Sequence, residues 1–306
     1  MWHPSIYLIT TFISALLAMA FFTLLERKFL GYAQLRKGPN KVSISGIPQP
    51  MADALKLFTK EFNTPMAANY FSFILAPMMA LILALMIWTL YPHLYTPLNM
   101  KWGILLFLSL SSMNVYTTLF SGWASNSKYS LLGALRSIAQ TISYEVSMAL
   151  IIMTPMIMNM TLSLNYMSYN HSMVFMIMMW PLYTMWITSA LAETNRTPFD
   201  LAEGESELVS GFNTEYSSGT FALIFMAEYM NIIAMSIISW AMFMSLSSNP
   251  MMNIMMIINI FMVSLMFIWA RSAYPRMRYD KLMELTWKQF LPLTLSTIMI
   301  MTAITI

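Results

Sequence analysis

The chain has 306 residues, of which 58% are hydrophobic and 9% charged, where globular proteins carry about a quarter charged. With a mean hydropathy of +0.62 it reads as a membrane protein. A net charge of +3 is too mild to argue for nucleic acid, and the lack of cysteine excludes disulfides, thiolate zinc sites, iron–sulfur ligation and cysteine nucleophiles within this chain.

A membrane-spanning helix needs ~20 mostly apolar residues. Eight stretches qualify, at roughly 5–25, 70–91, 102–121, 138–160, 172–191, 219–245, 251–270 and 286–305. The first has no basic segment before it and a long apolar run with its charges following, so it reads as a span and not as a cleaved signal. With no internal repeat and no low-complexity linker, residues 1–306 read as a single polytopic, all-α membrane domain. The 35 methionines read as flexible apolar filler in place of leucine and isoleucine.

Eight spans sort the charges to one side. Loops 26–69, 122–137, 192–218 and 271–288 hold fifteen of the sixteen Lys and Arg, Lys101 being the exception. By the positive-inside rule that side is cytoplasmic or its mitochondrial equivalent, the matrix. Eleven of the thirteen acids lie there too. Within the first of these loops, Pro50 opens a pattern in which Met51, Leu55, Phe58 and Phe62 share one face and Asp53, Lys56 and Lys60 another. This predicts an amphipathic helix lying in the membrane interface or on a partner subunit.

The two remaining acids are inside spans. Glu145 lies about eight residues into the fourth and Glu228 about ten into the sixth, roughly 12 and 15 Å deep at 1.5 Å per residue. A charge at such depth costs at least ~2.5 kcal/mol, so each carboxyl should face a polar interior or carry a proton. Tyr144 and Tyr229 adjoin them and could extend a proton relay. No Lys or Arg lies deep in a span, and His3, His93 and His171 all fall on the sparsely charged side. That argues against an antiporter channel, a haem held by paired histidines or a His-based metal site. The lack of inverted repeats likewise disfavours a stand-alone cation transporter.

The densest acidic stretch is "ETNRTPFDLAEGESELVSGFNTEY", residues 193–216, with six of the thirteen acids and a single base, Arg196. Thr197-Pro198-Phe199-Asp200 reads as a helix start, with Thr197 as N-cap, Pro198 in the first position and Asp200 in the third. Glu203, Glu205 and Glu207 alternate behind it; if helical, Glu203 and Glu207 share a face and repel. Gly204, Gly211 and Gly219 should make the loop bendable. Such a patch should either meet the basic runs of its own side, "LERKFLGYAQLRKGPNKV" and "RSAYPRMRYDKL", or exchange protons. Docking of peripheral subunits is the alternative use.

Those two basic runs, the acidic stretch, "QPMADALKLFTKE", "SGWASNSKYSLLGALRSIAQTISYEV" and "FMAEYMNII" together closely resemble the chain 1 family of NADH:ubiquinone oxidoreductase, the mitochondrially encoded membrane subunit of respiratory complex I. The resemblance is colinear from about residue 20 to 295. It implies a multi-pass subunit of the mitochondrial inner membrane, with charged loops facing the matrix. Such a subunit joins the hydrophilic arm to the membrane arm and forms much of the access tunnel for ubiquinone, its substrate. It implies no redox centre, haem, metal or catalytic residue of this chain's own, electrons arriving from an iron–sulfur cluster in a neighbouring subunit. Partners would be the quinone-module subunits of the hydrophilic arm, small membrane subunits and lipid. By the same resemblance Arg27, Arg36, Asp53, Phe225 and Arg276 would line the tunnel, and Glu145, Glu193, Asp200, Glu203, Glu205, Glu207 and Glu228 would form an acidic path coupling quinone reduction to proton translocation.

Overall fold

In hydrocarbon a backbone must satisfy its own hydrogen bonds, which favours helices. The computed structural model describes residues 3–92, 100–170, 174–204, 208–245 and 252–305, and those residues form helices and no strand. In chain order these are α1 (His3–Ala33), α2 (Gln49–Thr59), α3 (Tyr70–Trp88), α4 (Gly103–Ala124), α5 (Lys128–Asn159), α6 (Leu164–Asn170), α7 (Val174–Met178), α8 (Trp180–Glu193), α9 (Ser218–Ser239), α10 (Met252–Ala273), α11 (Tyr279–Glu284) and α12 (Leu291–Thr305).

Among the described residues six helices are long and apolar enough to cross a membrane: α1, α3, α4, α5, α9 with its extension to Met244, and α10. The other two expected spans are built in pieces. The fifth is divided between α7 and α8, and Pro181 sits in the first turn of α8, where a missing N–H costs nothing. The eighth runs from α11 through a π-helical stretch, Leu285–Phe290, into α12. Helix α5 starts at Lys128, ten residues ahead of the apolar run, so most of the expected 122–137 loop is helical. Small side chains at Ser130, Gly133, Ala134 and Ser137 make its early turns buriable.

Helix α9 is the centre of one half, packed along α3, α10, α1 and α2; α5 is the centre of the other, against α4, α8 and α12. Indole N–H groups tie the α9 side to its neighbours. Trp88 Nε1 donates to the Met230 carbonyl at 3.3 Å and Trp186 Nε1 to Ser239 Oγ at 2.8 Å. The outer faces of α1, α10 and α12 are apolar and exposed, for example Ile9, Ile257 and Met299, as lipid-facing helices require.

Helix α2 is amphipathic, as expected, with Pro50 in its first turn and Met51, Leu55 and Phe58 exposed. Phe62 falls beyond its end. The expected helix start at Thr197, in contrast, does not form: turns occupy 197–203, and Thr197 Oγ1 is buried without a partner. The Phe199 N–H closes a turn onto the Arg196 carbonyl at 2.8 Å, and the Phe199 ring is buried beside Tyr144. The capping bond moves three residues along, where Asp200 Oδ1 accepts the Glu203 N–H at 3.2 Å.

Candidate functional site

The acidic loop is fastened to the helices at several points. Gln140, fully buried on α5, donates through Nε2 to the Ala192 carbonyl at 3.0 Å and the Phe199 carbonyl at 2.7 Å, gripping the loop where it leaves α8 and again at its first turn. The Met277 N–H, from the second basic run, donates to the Pro198 carbonyl at 2.9 Å. Tyr216 donates to the Ser121 carbonyl at 3.2 Å and stacks on Phe73 at 4.2 Å. Gly211 has φ +58°, and a Cβ there would run into the Ala202 carbonyl. Its glycine therefore serves close packing at a fixed turn, not the bendability expected of it.

The loop's acids meet the basic runs. Arg276 Nη2 lies 3.2 Å from Asp200 Oδ2. Deeper, Glu26 of α1 accepts from Arg271 at 2.5 Å and from Arg196 at 3.2 Å. The Arg196 guanidinium also lies over the Tyr229 ring, 4.4 Å from its centre, a cation–π contact made in a desolvated setting. Three distant parts of the chain thus converge on one ion cluster beside α9.

Asp200 and Glu203 sit next to that cluster. Burial raises the Asp200 carboxyl above its ordinary value, and Arg276 and the Glu203 N–H only partly offset this. Glu203 is also raised, first by burial and then by the neighbouring Asp200 charge, with Arg196 and the Asn213 side chain opposing. Asn213 Nδ2 donates to Glu203 Oε1 at 3.0 Å. Glu228, on α9, has Glu203, Arg196, Asp200 and Glu26 as its electrostatic neighbours. Glu193, buried at the end of α8, has Glu145 of α5 as its charged neighbour.

Two small cavities join these halves. One, about 40 Å³, is lined by Glu193 and Glu228 together with Asn114, Ser121, Asn195 and Asn231. The other, about 20 Å³, shares Asn114, Glu193 and Asn231. The expected acids therefore fall in one row: Asp200 and Glu203 in the loop, then Glu228, then across a cavity to Glu193 and Glu145. Glu205 and Glu207 lie outside the described residues, as do His93, His171 and the His3 side chain.

Of the expected tunnel residues, Arg27 and Asp53 form an ion pair at 2.6 Å that ties α1 to α2. Phe225 stands between Phe221 and Tyr229 in an aromatic column along α9, with centroids 4.3 and 6.4 Å away. Arg276, of the second basic run, pairs with Asp200 of the acidic loop, as described, and Arg36 is exposed beyond α1. A larger apolar cavity, about 480 Å³, opens between α1, α9 and α10 and includes none of these five. Among the described residues no group of three or more His, Cys, Asp or Glu side chains is placed to hold a metal ion.

Sequence reasoning did not single out Glu26, Arg271, Gln140, Asn114 or Asn231 as site residues. For the last three there was a signal: a lone amide within an apolar helix must find a polar surrounding. For Glu26 and Arg271 there was little, since each stood among like-looking charges at a span end.

The family model described as NADH dehydrogenase matches residues 6–302. Among curated relatives, the NADH-ubiquinone oxidoreductase chain 1 of Emballonura alecto is 53% identical over 297 residues, covering 95% of this chain and 93% of that protein. That of Balaenoptera physalus is 50% identical over 299 residues, covering 96% and 94%, and that of Mammuthus primigenius 53% over 299 residues, covering 96% and 94%.

Proposed function

This chain belongs to the family of NADH-ubiquinone oxidoreductase chain 1, and from that premise we propose that it shapes part of the ubiquinone access route and couples quinone reduction to proton translocation. The observation that carries this reading is the succession of neighbouring carboxyls: Asp200 beside Glu203, Glu203 beside Glu228, Glu228 and Glu193 on one cavity, and Glu193 beside Glu145. Glu205 and Glu207 belong to the proposed row by sequence. At its loop end the row meets Arg276 and the Arg196–Glu26–Arg271 cluster, which hold fixed positive charge where a reduced quinone and its protons would act. Quinone is uncharged, so Arg27, Arg36, Asp53 and Arg276 serve to shape polar stretches of the route, and Phe225 offers its ring to the quinone or its tail.

Proton transfer between positioned carboxyls needs the groups within hydrogen-bond reach, directly or through water. Two adjacent acids, Glu203 and Asp200, with burial favouring the neutral form of both, can take and release a proton together. In this reading the subunit sits in the mitochondrial inner membrane with its charged loops on the matrix side, bound to hydrophilic-arm subunits, small membrane subunits and lipid. It carries no redox centre; electrons reach the quinone from a partner. Glu203 is engaged by Asn213 and Asp200 by Arg276, which leaves these two acids little freedom to dock a peripheral subunit.

The test is Glu228→Gln in the assembled complex, measuring NADH:ubiquinone reduction and the proton movement linked to it. Quinone-linked pumping should fall sharply while assembly persists. Normal pumping by a fully assembled variant would remove Glu228 from the relay.

A further inference from the structure

Beside Glu203 the acidic loop makes one 3-10 turn, Gly211–Asn213, and all three of its residues are buried. The turn is set against Glu203 backbone to backbone. Gly211 has φ +58°, and a Cβ there would collide with the Ala202 carbonyl and come within 3.1 Å of Glu203 Cα. From the other side, a Cβ on Gly133 of α5 would come within 2.9 Å of Gly211 Cα and of the Phe212 nitrogen. The two glycines let α5, the turn and residues 202–203 lie this close. The main chain of Asn213 is engaged at both ends: its N–H donates to the Ser210 carbonyl at 3.2 Å, and its carbonyl accepts the Tyr216 N–H at 3.1 Å. The Asn213 side chain is thus carried at a fixed place beside the Glu203 carboxyl.

Asn213 donates through Nδ2 to Glu203 Oε1 at 3.0 Å, while its Oδ1 is buried and no donor among the described residues reaches it. A side-chain amide has donors on one atom and an acceptor on the other, and a half turn about its last bond exchanges them. A fixed donor on Oδ1 would lock one orientation; none of the described residues supplies it. The carboxyl that the amide faces has use for both ends. Ionised, Glu203 only accepts, and Nδ2 serves it; protonated on Oε1, it has an O–H to give, and Oδ1 can take it. Either orientation leaves one end of the amide unpaired, so the state of Glu203 decides between them. The charged groups facing Glu203 are Asp200 and Arg196 of its own loop, Arg271 of α10 and Glu228 of α9. The guanidiniums only donate, and the two carboxyls titrate themselves. Among the described residues Asn213 is the neutral group bonded to the Glu203 carboxyl.

We propose that Asn213 is a positioning residue for Glu203, turning its amide as the carboxyl changes state and so holding that side chain in place while a proton is taken up and released. The inference rests on the proton-coupling role given above for the acidic row. The step is balanced. Uptake forms one O–H bond at Glu203 Oε1, and that O–H donates to Oδ1 in place of the Nδ2–H bond to Oε1. Release breaks the O–H, hands the proton on to another carboxylate of the row, and restores the Nδ2 bond. Asn213 itself neither gains nor loses a proton. Without it, Glu203 would lose its neutral partner in both states and would have to be re-aimed in every cycle.

The test uses the assembled complex, checked by NADH oxidation with a water-soluble acceptor. It compares Asn213→Leu, of similar size and without a polar group, with Asn213→Ser, whose hydroxyl both donates and accepts. Asn213→Leu should lower proton-linked quinone reduction by about tenfold, on the scale of a misplaced proton-transfer group. It should also move one limb of the pH profile, the limb that Glu203→Gln abolishes. Loss of a donor to the carboxylate favours the neutral form, so the limb moves to higher pH, by up to about one unit. Asn213→Ser should recover most of the rate and return the limb toward its native place. If Asn213→Leu prevents assembly, Asn213→Ala replaces it. A lower rate with the limb unmoved, or equal loss in the Leu and Ser variants, would indicate packing and overturn the proposal, as would a normal rate in Asn213→Leu. The turning of the amide is read from infrared difference spectra of the complex at two pH values. On protonation of Glu203 an amide C=O band should shift to lower frequency as Oδ1 gains a donor, and the shift should be absent from Asn213→Leu and from Glu203→Gln. A shift upward, or none, would mean a fixed amide and overturn the proposal. Impaired Glu203→Gln beside normal Asn213→Leu would sink the role of Asn213 and leave the acidic row standing. Normal Glu203→Gln would remove Glu203 from the row, and this proposal with it.

Discussion

Glu26 is the member whose loss the ion cluster should tolerate least. Its Oε1 accepts from Arg271 at 2.5 Å and from Arg196 at 3.2 Å, but the two partners differ in exposure. The Arg271 side chain is 41% exposed, so water screens it and its share of the interaction is about 0–1 kcal/mol. The Arg196 side chain is 13% exposed, and Glu26 itself only 6%. Removing one partner of a buried pair leaves an uncompensated charge, at ~3–5 kcal/mol. The Tyr229 face would still hold the guanidinium, keeping about 1 kcal/mol. Glu26→Gln is therefore expected to cost about 3 kcal/mol and Arg271→Gln about 1 kcal/mol or less. The first corresponds to about a hundredfold change in an equilibrium constant. Both should be read as thermal inactivation of the assembled complex and as its steady-state amount in membranes. A double variant, Glu26→Gln with Arg196→Gln, removes both charges together and should cost less than the sum of its parts. If Arg271→Gln proves as damaging as Glu26→Gln, burial does not set the hierarchy and the reasoning fails.

The acidic loop should respond to pH with a definite sign. Burial holds Asp200 and Glu203 above their ordinary values. Such groups contribute stability that is fully present below the unfolded-state pKa of about 4 and is lost as pH rises through the higher folded-state value. Amide exchange across 197–204, corrected for its intrinsic pH dependence, should speed up over that window; Asp200→Asn should flatten the slope, and an unaltered slope would refute the assignment. Gln140→Leu removes the bonds to the Ala192 and Phe199 carbonyls. Each carbonyl keeps a backbone donor, Asn195 and Leu201 respectively, so the cost is about 1–2 kcal/mol and not that of two orphaned acceptors. Limited proteolysis should cut the loop faster in Gln140→Leu; unchanged cutting would show that the loop is held elsewhere.

The long spans and the amphipathic α2 were legible because the length of hydrocarbon to be crossed and the helical period are strong constraints on a local pattern. Local pattern failed where tertiary contacts decide. Thr197 had the residues of an N-cap, yet the buried Phe199 and the pairing of Asp200 with Arg276 favoured turns and shifted the cap bond to the Glu203 N–H. The polar start of α5 read as loop because its small residues bury through tertiary contacts, Gly133 against Gly211 and Phe212 of the acidic loop and Ser130 and Ala134 against Gly122 of α4. Glu26 pairs with residues 170 and 245 positions away, a relation no window of sequence contains. The carboxyls of the row were each visible as anomalies of charge in an apolar chain. Their order was not, because it depends on how α8 and α9 face one another across a cavity.

That order has a consequence for how the row would work. Among the described residues the fixed cations lie toward its loop end: Arg276 on Asp200, and Arg196 among Glu26, Glu203 and Glu228. Among the described residues neither Glu193 nor Glu145 forms an ion pair with Lys or Arg. The loop end is also the rigid end, tied by Gln140, Met277, Asn213 and Tyr216. A carboxyl locked against a guanidinium is a poor proton carrier but a stable source of field, whereas one without an ion-pair partner is less constrained. In the proposed coupling, a charge change at the quinone end would reach Glu228 as a change of field, because Arg196 and Glu203 are its electrostatic neighbours. The division also accounts for the buried position of Arg196, the single base of the acidic stretch: without it the neighbouring carboxylates Glu26, Glu203 and Glu228 would repel one another.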